Sequence, residues 1–397
     1  MATVQLKKSL AALVIAVSAV GSGASRVDAA TYFQTNLASD IPGLATVTDS
    51  LLVNTWGLVS SAAGSPFWIS NQGTSTSTLY AVSGATNVSK VTAVNANGFV
   101  GIPTTAAGPQ GPTGIVSNAN TAAFQLVPGT PSTSSRFLFA NLNGTISGWA
   151  GGLTSTIQVT TPGAVYTGLA IDSATTGTRL YAANGASGAI DVFNSSFAPV
   201  NLGAGAFTDP NLPSGFVPFN VQNIGGKIYV TYAPAGLPNQ RTATAGAGFV
   251  TIFDTNGVLL QRLISGSQLA SPWGLALAPA SFGQFAGDLL VGNFSFVAGG
   301  INAFDPNTGM FEGTIPIDVG SHTAGGLWAL MFGHGGNGGD PNTLYFTDGI
   351  DGETHGLFGA IQPTTPLPGA LPLFATGLGA LGLIGWRRKR KALALAG

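Results

Sequence analysis

The sequence predicts an all-β protein, a six-bladed β-propeller, and three observations predict it. A Gly-Leu-like opening recurs six times at a spacing of 50 to 57 residues; each is followed by an apolar strand ending on a polar or aromatic residue; a third strand then closes each unit. A period near fifty, built from short strands and Gly, Pro, Asn and Asp punctuation, is the signature of blades around an axis. A β-sandwich predicts no such period.

The openings are Trp56-Gly57-Leu58, Thr113-Gly114-Ile115, Thr167-Gly168-Leu169, a degenerate Val217-Pro218-Phe219, Trp273-Gly274-Leu275 and Gly326-Leu327-Trp328. The small residues Gly57, Gly114, Gly168 and Gly274 suit an innermost strand, where backbone approaches backbone. Second strands are FWISN, FLFAN, LYAAN, IYVTY, LLVGN and LYFTD, ending at Asn71, Asn141, Asn184, Tyr232, Asn293 and Asp348. Third strands are TLYAV, TISGW, AIDVF, FVTIFD, INAFD and GLFGAI, and no useful helical period lies between them. The segment Tyr32-Phe33-Gln34-Thr35-Asn36 precedes the first unit, and it is expected to pair with the last blade as its outer strand. The competing arrangement is a seventh blade built on residues 209–240.

Composition limits the function classes. Only 7% of the 397 residues are charged and 58 are Gly, yet 45% are hydrophobic, enough for a sizeable core. Residues 30–366 hold six basic residues (Lys90, Arg136, Arg179, Lys227, Arg241, Arg262) against fourteen acidic ones, a formal −8. Nucleic acid needs a basic footprint and is not an expected partner. The absence of Cys excludes disulfides, thiol catalysis and thiolate-ligated zinc.

The two ends read as targeting segments. Residues 1–30 carry Lys7 and Lys8, an apolar run over 10–20 and Val27-Asp28-Ala29-Ala30, the pattern of a signal peptide cut by signal peptidase after Ala29 or Ala30. The expected propeller spans 31–361. Residues 362–370 form a Pro-rich linker containing Pro366-Leu367-Pro368, and the apolar stretch 371–386 at 1.5 Å per residue gives roughly 24 Å, marginal for a core of about 30 Å. The basic tail 387–397, opening Arg387-Arg388-Lys389-Arg390-Lys391, would stay cytoplasmic and leave the body outside the inner membrane.

Candidate chemistry lies in two places. His322, His334 and His355 fall within 34 residues, together with Asp340, Asp348, Asp351 and Glu353. Imidazole and carboxylate suit a divalent metal ion, and His334, Asp348, Glu353 and His355 are the candidate ligands. Loop chemistry is the competing reading, since Asp348-Gly349-Ile350-Asp351-Gly352 is also a turn sequence. If equivalent strands end at equivalent depths, Asn71, Asn141, Asn184, Asn293 and Asp348 form a polar ring at a channel mouth; the plainer alternative is that they cap strand ends. No GxSxG, phosphate loop or HExxH motif is present.

Two resemblances follow from these residues. The tail, with its Pro motif, Gly- and Leu-rich stretch and Arg-rich end, resembles the PEP-CTERM sorting signals recognised by an exosortase, although Pro366-Leu367-Pro368 replaces the usual Pro-Glu-Pro. The resemblance implies release to the cell surface or an extracellular polysaccharide matrix. The body resembles a family of uncharacterised exported proteins through Asn54-Thr55-Trp56-Gly57-Leu58, Ser271-Pro272-Trp273-Gly274-Leu275 and the stretch 326–361. That implies an NHL-like propeller and supplies no reaction. The expected function is a binding or structural module, with Trp149 and exposed Asn, Ser and Thr meeting polysaccharide; the alternative is a metal-dependent hydrolase or lactonase.

Overall fold

The computed structural model describes residues 32–105, 110–172 and 177–364. They form six sheets, antiparallel except where the short strand Val47–Thr48 runs parallel to Tyr32–Ser39 at the edge of the last; the strands of the first five follow chain order outward from the axis. Blade 1 holds Thr55–Val59, Phe67–Asn71, Thr76–Ser83 and Asn87–Lys90, with Val100–Gly101 added to the third strand. Blade 2 holds Pro112–Ser117, Phe137–Asn141, Thr145–Trp149 and Thr156–Thr160. Blade 3 has three strands, Tyr166–Asp172, Arg179–Asn184 and Ala189–Asn194. Blade 4 holds Phe216–Ile224, Lys227–Pro234, Phe249–Phe253 and Leu259–Ser265. Blade 5 holds Pro272–Leu277, Leu289–Asn293, Gly300–Phe304 and Phe311–Ile315. Blade 6 holds Leu327–Phe332, Leu344–Asp348 and Leu357–Pro363. Among the described residues α-helix is confined to Leu237–Arg241 and Ile350–Glu353.

The ring closes by the expected device. Tyr32–Ser39 pairs antiparallel with Leu357–Pro363, from Tyr32 opposite Pro363 to Ser39 opposite Leu357. Leu37 and Ala38 are fully buried, and Ser39 Oγ donates to Gly356 O at 2.7 Å. Tyr32 reaches into blade 5, where its hydroxyl donates to Phe282 O at 2.9 Å and its ring stacks on Phe285 at 5.5 Å. One N-terminal strand therefore covers the edge of blade 6 and ties it to its neighbour.

Every first hairpin carries a bulge at the same place: between Thr55 and Leu58, Pro112 and Ile115, Tyr166 and Gly168, Pro218 and Asn220, Pro272 and Leu275, Leu327 and Leu330. The extra residue turns the innermost strand and lets its small residue meet the next blade. A Cβ on Gly57 would lie 2.9 Å from Ile115 Cγ2 and 3.0 Å from Ile115 N, and Cβ atoms on Gly114, Gly168 and Gly274 would collide with Leu169, Asn220 and Trp328 of the following blades.

The bulge register corrects two of the openings. Phe219-Asn220-Val221 and Trp328-Ala329-Leu330 occupy the positions of Trp56-Gly57-Leu58, two residues later than Val217-Pro218-Phe219 and Gly326-Leu327-Trp328. Asn220 and Ala329 replace the glycine there, so a match anchored on glycine slides upstream. No seventh blade forms on 209–240, since Phe216–Ile224 and Lys227–Pro234 are the first two strands of blade 4.

Candidate functional site

All six first strands face an axial cavity of about 360 Å³. Its wall is built from Val59, Val116, Ile171 and Leu277 near the strand ends, with Asn223 and His334 among the polar groups at that end. Its lining includes no Asp, Glu, Lys or Arg. Gln222 Nε2 donates to Leu275 O at 2.7 Å and Asn223 Nδ2 to Ile171 O at 3.0 Å.

The opposite end is filled by aromatic rings from the residue just before the small one on the inner strands of blades 1, 4, 5 and 6, where blades 2 and 3 have Thr113 and Thr167, joined by Phe294 just past the second strand of blade 5. Trp56 and Trp328 stack with centroids 3.5 Å apart and planes 21° apart, and Trp273 stands edge-on to both at 6.3 and 5.8 Å. Phe219 and Phe294 pack on Trp328 at 5.7 and 4.3 Å. Offset and edge-on contacts of this kind add to the area they bury. Trp273 both belongs to this plug and lines the cavity, so the channel is blind.

A polar latch lies over the plug. Asn54, held at φ +48°, accepts Trp328 Nε1–H at 3.1 Å and donates to Gln72 Oε1 at 2.8 Å and Glu353 Oε1 at 3.1 Å. Glu353 Oε2 accepts Arg241 Nε–H at 2.7 Å and is ion-paired with the same guanidinium. Burial pushes the Glu353 carboxyl above its ordinary value, with Arg241 and Asn54 pulling the other way. Blades 1, 4 and 6 meet in this one network. Trp56, Trp273 and Trp328 were visible in the sequence only as repeat markers; nothing in the pattern singled out Arg241 or Gln72.

The four candidate metal ligands are not brought together. Among the described residues no three His, Asp or Glu side chains form a donor set. The reason is strand polarity. His334 follows the C-terminal end of Leu327–Phe332, whereas Asp348, Glu353 and His355 follow the antiparallel return strand, at the other end of the sheet, a separation of roughly 17 Å. Each His is engaged elsewhere: His334 Nδ1–H with Ser60 O at 2.9 Å, His355 Nδ1 with Asp40 at 2.6 Å, and His322 Nδ1 with Asp351 at 2.6 Å.

The expected ring of strand ends is made of hairpin clasps. Asn71 Nδ2 donates to Thr76 and Thr78 hydroxyls, Asn141 Nδ2 to Thr145 Oγ1 at 3.0 Å, Asn184 Nδ2 to Asp191 at 3.0 Å, and Asn293 Oδ1 accepts Ala270 N–H at 3.0 Å. All are buried, and none lines the axial cavity. Asp348 departs from them and lines a separate cleft. Trp149 is 6% exposed, packed against the stacked pair Trp68 and Phe137, so it offers no face to a sugar. Residues 1–30, where a signal peptide is expected, and Pro366, Leu367, Pro368, the stretch 371–386, Arg387 and Arg388 lie outside the described residues. Within those residues no helix is long and apolar enough to cross a membrane.

No known family profile matches the chain. Among solved structures, a Bacteroides thetaiotaomicron protein of unknown function is 11% identical, with 83% of this chain and 76% of that one covered, at TM-score 0.48. Kuenenia stuttgartiensis hydrazine synthase is 14% identical, with 78% and 80% covered, at TM-score 0.43. At such values neither likeness carries an argument about activity. Two uncharacterised proteins of Acanthamoeba polyphaga mimivirus are nearer in sequence. One is 32% identical over 339 residues, covering 82% of this chain and 78% of its own length; the other is 30% identical over 347 residues, covering 84% and 86%. A six-bladed propeller matched at that identity over most of both lengths belongs to the family of these uncharacterised mimivirus proteins.

Proposed function

We propose that the chain is an exported binding propeller, sorted to the cell surface or its matrix, that holds neutral saccharide ends in the axial cavity. The observation that carries this reading is the cavity itself: about 360 Å³, blind at the Trp plug, mixed in polarity and lined by no charged side chain. A site without charge discriminates against ionic ligands, whose desolvation it cannot offset. Apolar strand faces interleaved with Gln222, Asn223 and His334 suit a molecule with hydroxyls on an apolar ring. The export and sorting parts rest on the sequence of the two ends, Lys7 to Ala30 and Pro366 to Lys391, with its PEP-CTERM resemblance. Binding is preferred to metal-dependent hydrolysis because each histidine is already engaged by a carboxylate or a carbonyl.

Two measurements test it. Titrating the protein with neutral di- and trisaccharides should change the intrinsic Trp fluorescence, since Trp273 lines the cavity, and Val59→Phe should weaken binding at least tenfold. Absence of any response across the panel would remove the saccharide reading. Separately, loss of the exosortase should retain the protein in the envelope fraction, and an unchanged distribution would remove the sorting reading.

A further inference from the structure

A second cleft, of about 200 Å³, lies between blades 5 and 6 and shares no lining residue with the axial cavity. Phe296, Ile317 and Leu327 supply apolar wall, Gly300 and Gly325 bring bare backbone to the slot, and Val297 stands at its rim, 62% exposed. Asp348 lines the same cleft and is 1% exposed. Neither of its carboxylate oxygens has a hydrogen-bond partner; the adjacent Gly349 N–H is spent on Gly326 O at 2.8 Å. A buried carboxyl left unmatched is costly, and one that lines a cleft calls for an explanation.

The repeat shows that the fold does not require it. The equivalent strand ends of blades 1, 2, 3 and 5 are Asn71, Asn141, Asn184 and Asn293; their Nδ2 groups, or for Asn293 the Oδ1, bond to their own hairpins or the adjoining loop, and the Oδ1 atoms of Asn71 and Asn141 are buried without a partner, as uncharged oxygens. Among these five ends blade 6 alone places a carboxyl, on a residue that lines the slot, and neither of its oxygens has a partner. No Lys, Arg or His lines the cleft. The described residues carry fourteen acidic and six basic side chains, so the protein's field concentrates cations.

We propose that this cleft is a binding site for small primary amines, the ammonium meeting Asp348 and an apolar body lying against Phe296, Ile317 and Leu327. An apolar cavity of about 150 Å³ is enough to take up benzene, so the slot admits a six-membered ring bearing a one-carbon amine. The site is independent of the axial cavity and stands whatever that cavity binds.

The test is a titration of the full chain with benzylammonium, read by thermal shift and by calorimetry, with benzyl alcohol as the neutral isostere. Benzylammonium should raise Tm with concentration, and benzyl alcohol should bind at least tenfold more weakly. Asp348→Asn, which installs the residue that four other blades use, should keep the fold and lose at least tenfold in benzylammonium affinity. Val297→Trp, altered only at the rim, should also weaken binding. Equal affinity of both probes, undiminished binding by both variants, or no wild-type binding of benzylammonium at 10-mM concentrations, roughly a 3 kcal/mol affinity floor, would each overturn the proposal.

Discussion

Gly57→Ala adds one methyl at the seam between blades 1 and 2, and the structure sets what it costs. The new carbon would lie 2.9 Å from Ile115 Cγ2 and 3.0 Å from Ile115 N, with the Thr113 carbonyl closer still. Two of the three opposing atoms are backbone, so no rotamer change relieves the overlap, and a closed ring cannot simply open by the missing distance. Overpacking of this kind costs about 1–3 kcal/mol. For a domain of this size that lowers Tm by roughly 1–4 °C. Gly114→Ala and Gly274→Ala should do the same, because their Cβ atoms would meet Leu169 N and Trp328 O. Ala329→Gly supplies the opposite control: blade 6 already accommodates a methyl, and removing it should cost no more than about 1 kcal/mol. Differential scanning calorimetry of the four variants decides the matter. Glycine variants that melt with wild type would refute the placement of these strands against the axis.

Further predictions follow from the latch, the buried carboxyls and the histidines. Arg241→Met leaves Glu353 buried beside only Asn54, and should cost about 1–3 kcal/mol given the partial exposure of Arg241, while Arg241→Met with Glu353→Met should recover most of it in urea unfolding. Burial raises the Asp348 carboxyl well above its ordinary value, so the folded state holds that proton more tightly than the unfolded one. Its contribution is complete below about pH 4 and is lost as pH climbs toward the folded value, at up to about 1.4 kcal/mol per pH unit. Asp348→Asn should therefore flatten the decline of Tm as pH rises above about 4; a parallel decline in both proteins would contradict the assignment. Adding zinc or calcium, or chelating them, should leave Tm unchanged, since the histidines point to separate partners, and a rise on metal addition would restore a shared site.

The blade architecture was legible because it repeats. Six second strands and six third strands stand where their apolar runs place them, and Tyr32–Ser39 fills the edge left by a three-strand last unit. The outer strands Asn87–Lys90, Thr156–Thr160 and Phe311–Ile315 were not legible, since they are short, half-exposed and carry polar residues such as Ser89, Gln158 and Glu312. The histidine cluster misled for a different reason. Nearness along the chain is not nearness in space here, because an antiparallel return separates His334 from His355 by the length of a strand. Asn71 and its equivalents were correctly seen as equivalent, but equivalence also gave each a Thr, Asp or loop amide within reach, which turns the side chains inward to their own hairpins. The plug required three-dimensional closure before Trp56, Trp273 and Trp328 could be seen to meet.

The axial cavity exists only if the ring is closed by its N-terminal strand, and the chain's lack of Cys makes that closure directly measurable. Phe33 stands opposite Gln362 in the closing pair, with Phe33 62% exposed. Phe33→Cys combined with Gln362→Cys places two thiols across adjacent strands, within the span a disulfide bridges. On mild oxidation the account predicts complete intramolecular crosslinking of the monomer, with a rise in Tm reversed by reductant. Free thiols that persist under oxidation, or crosslinks that form only between molecules, would contradict it.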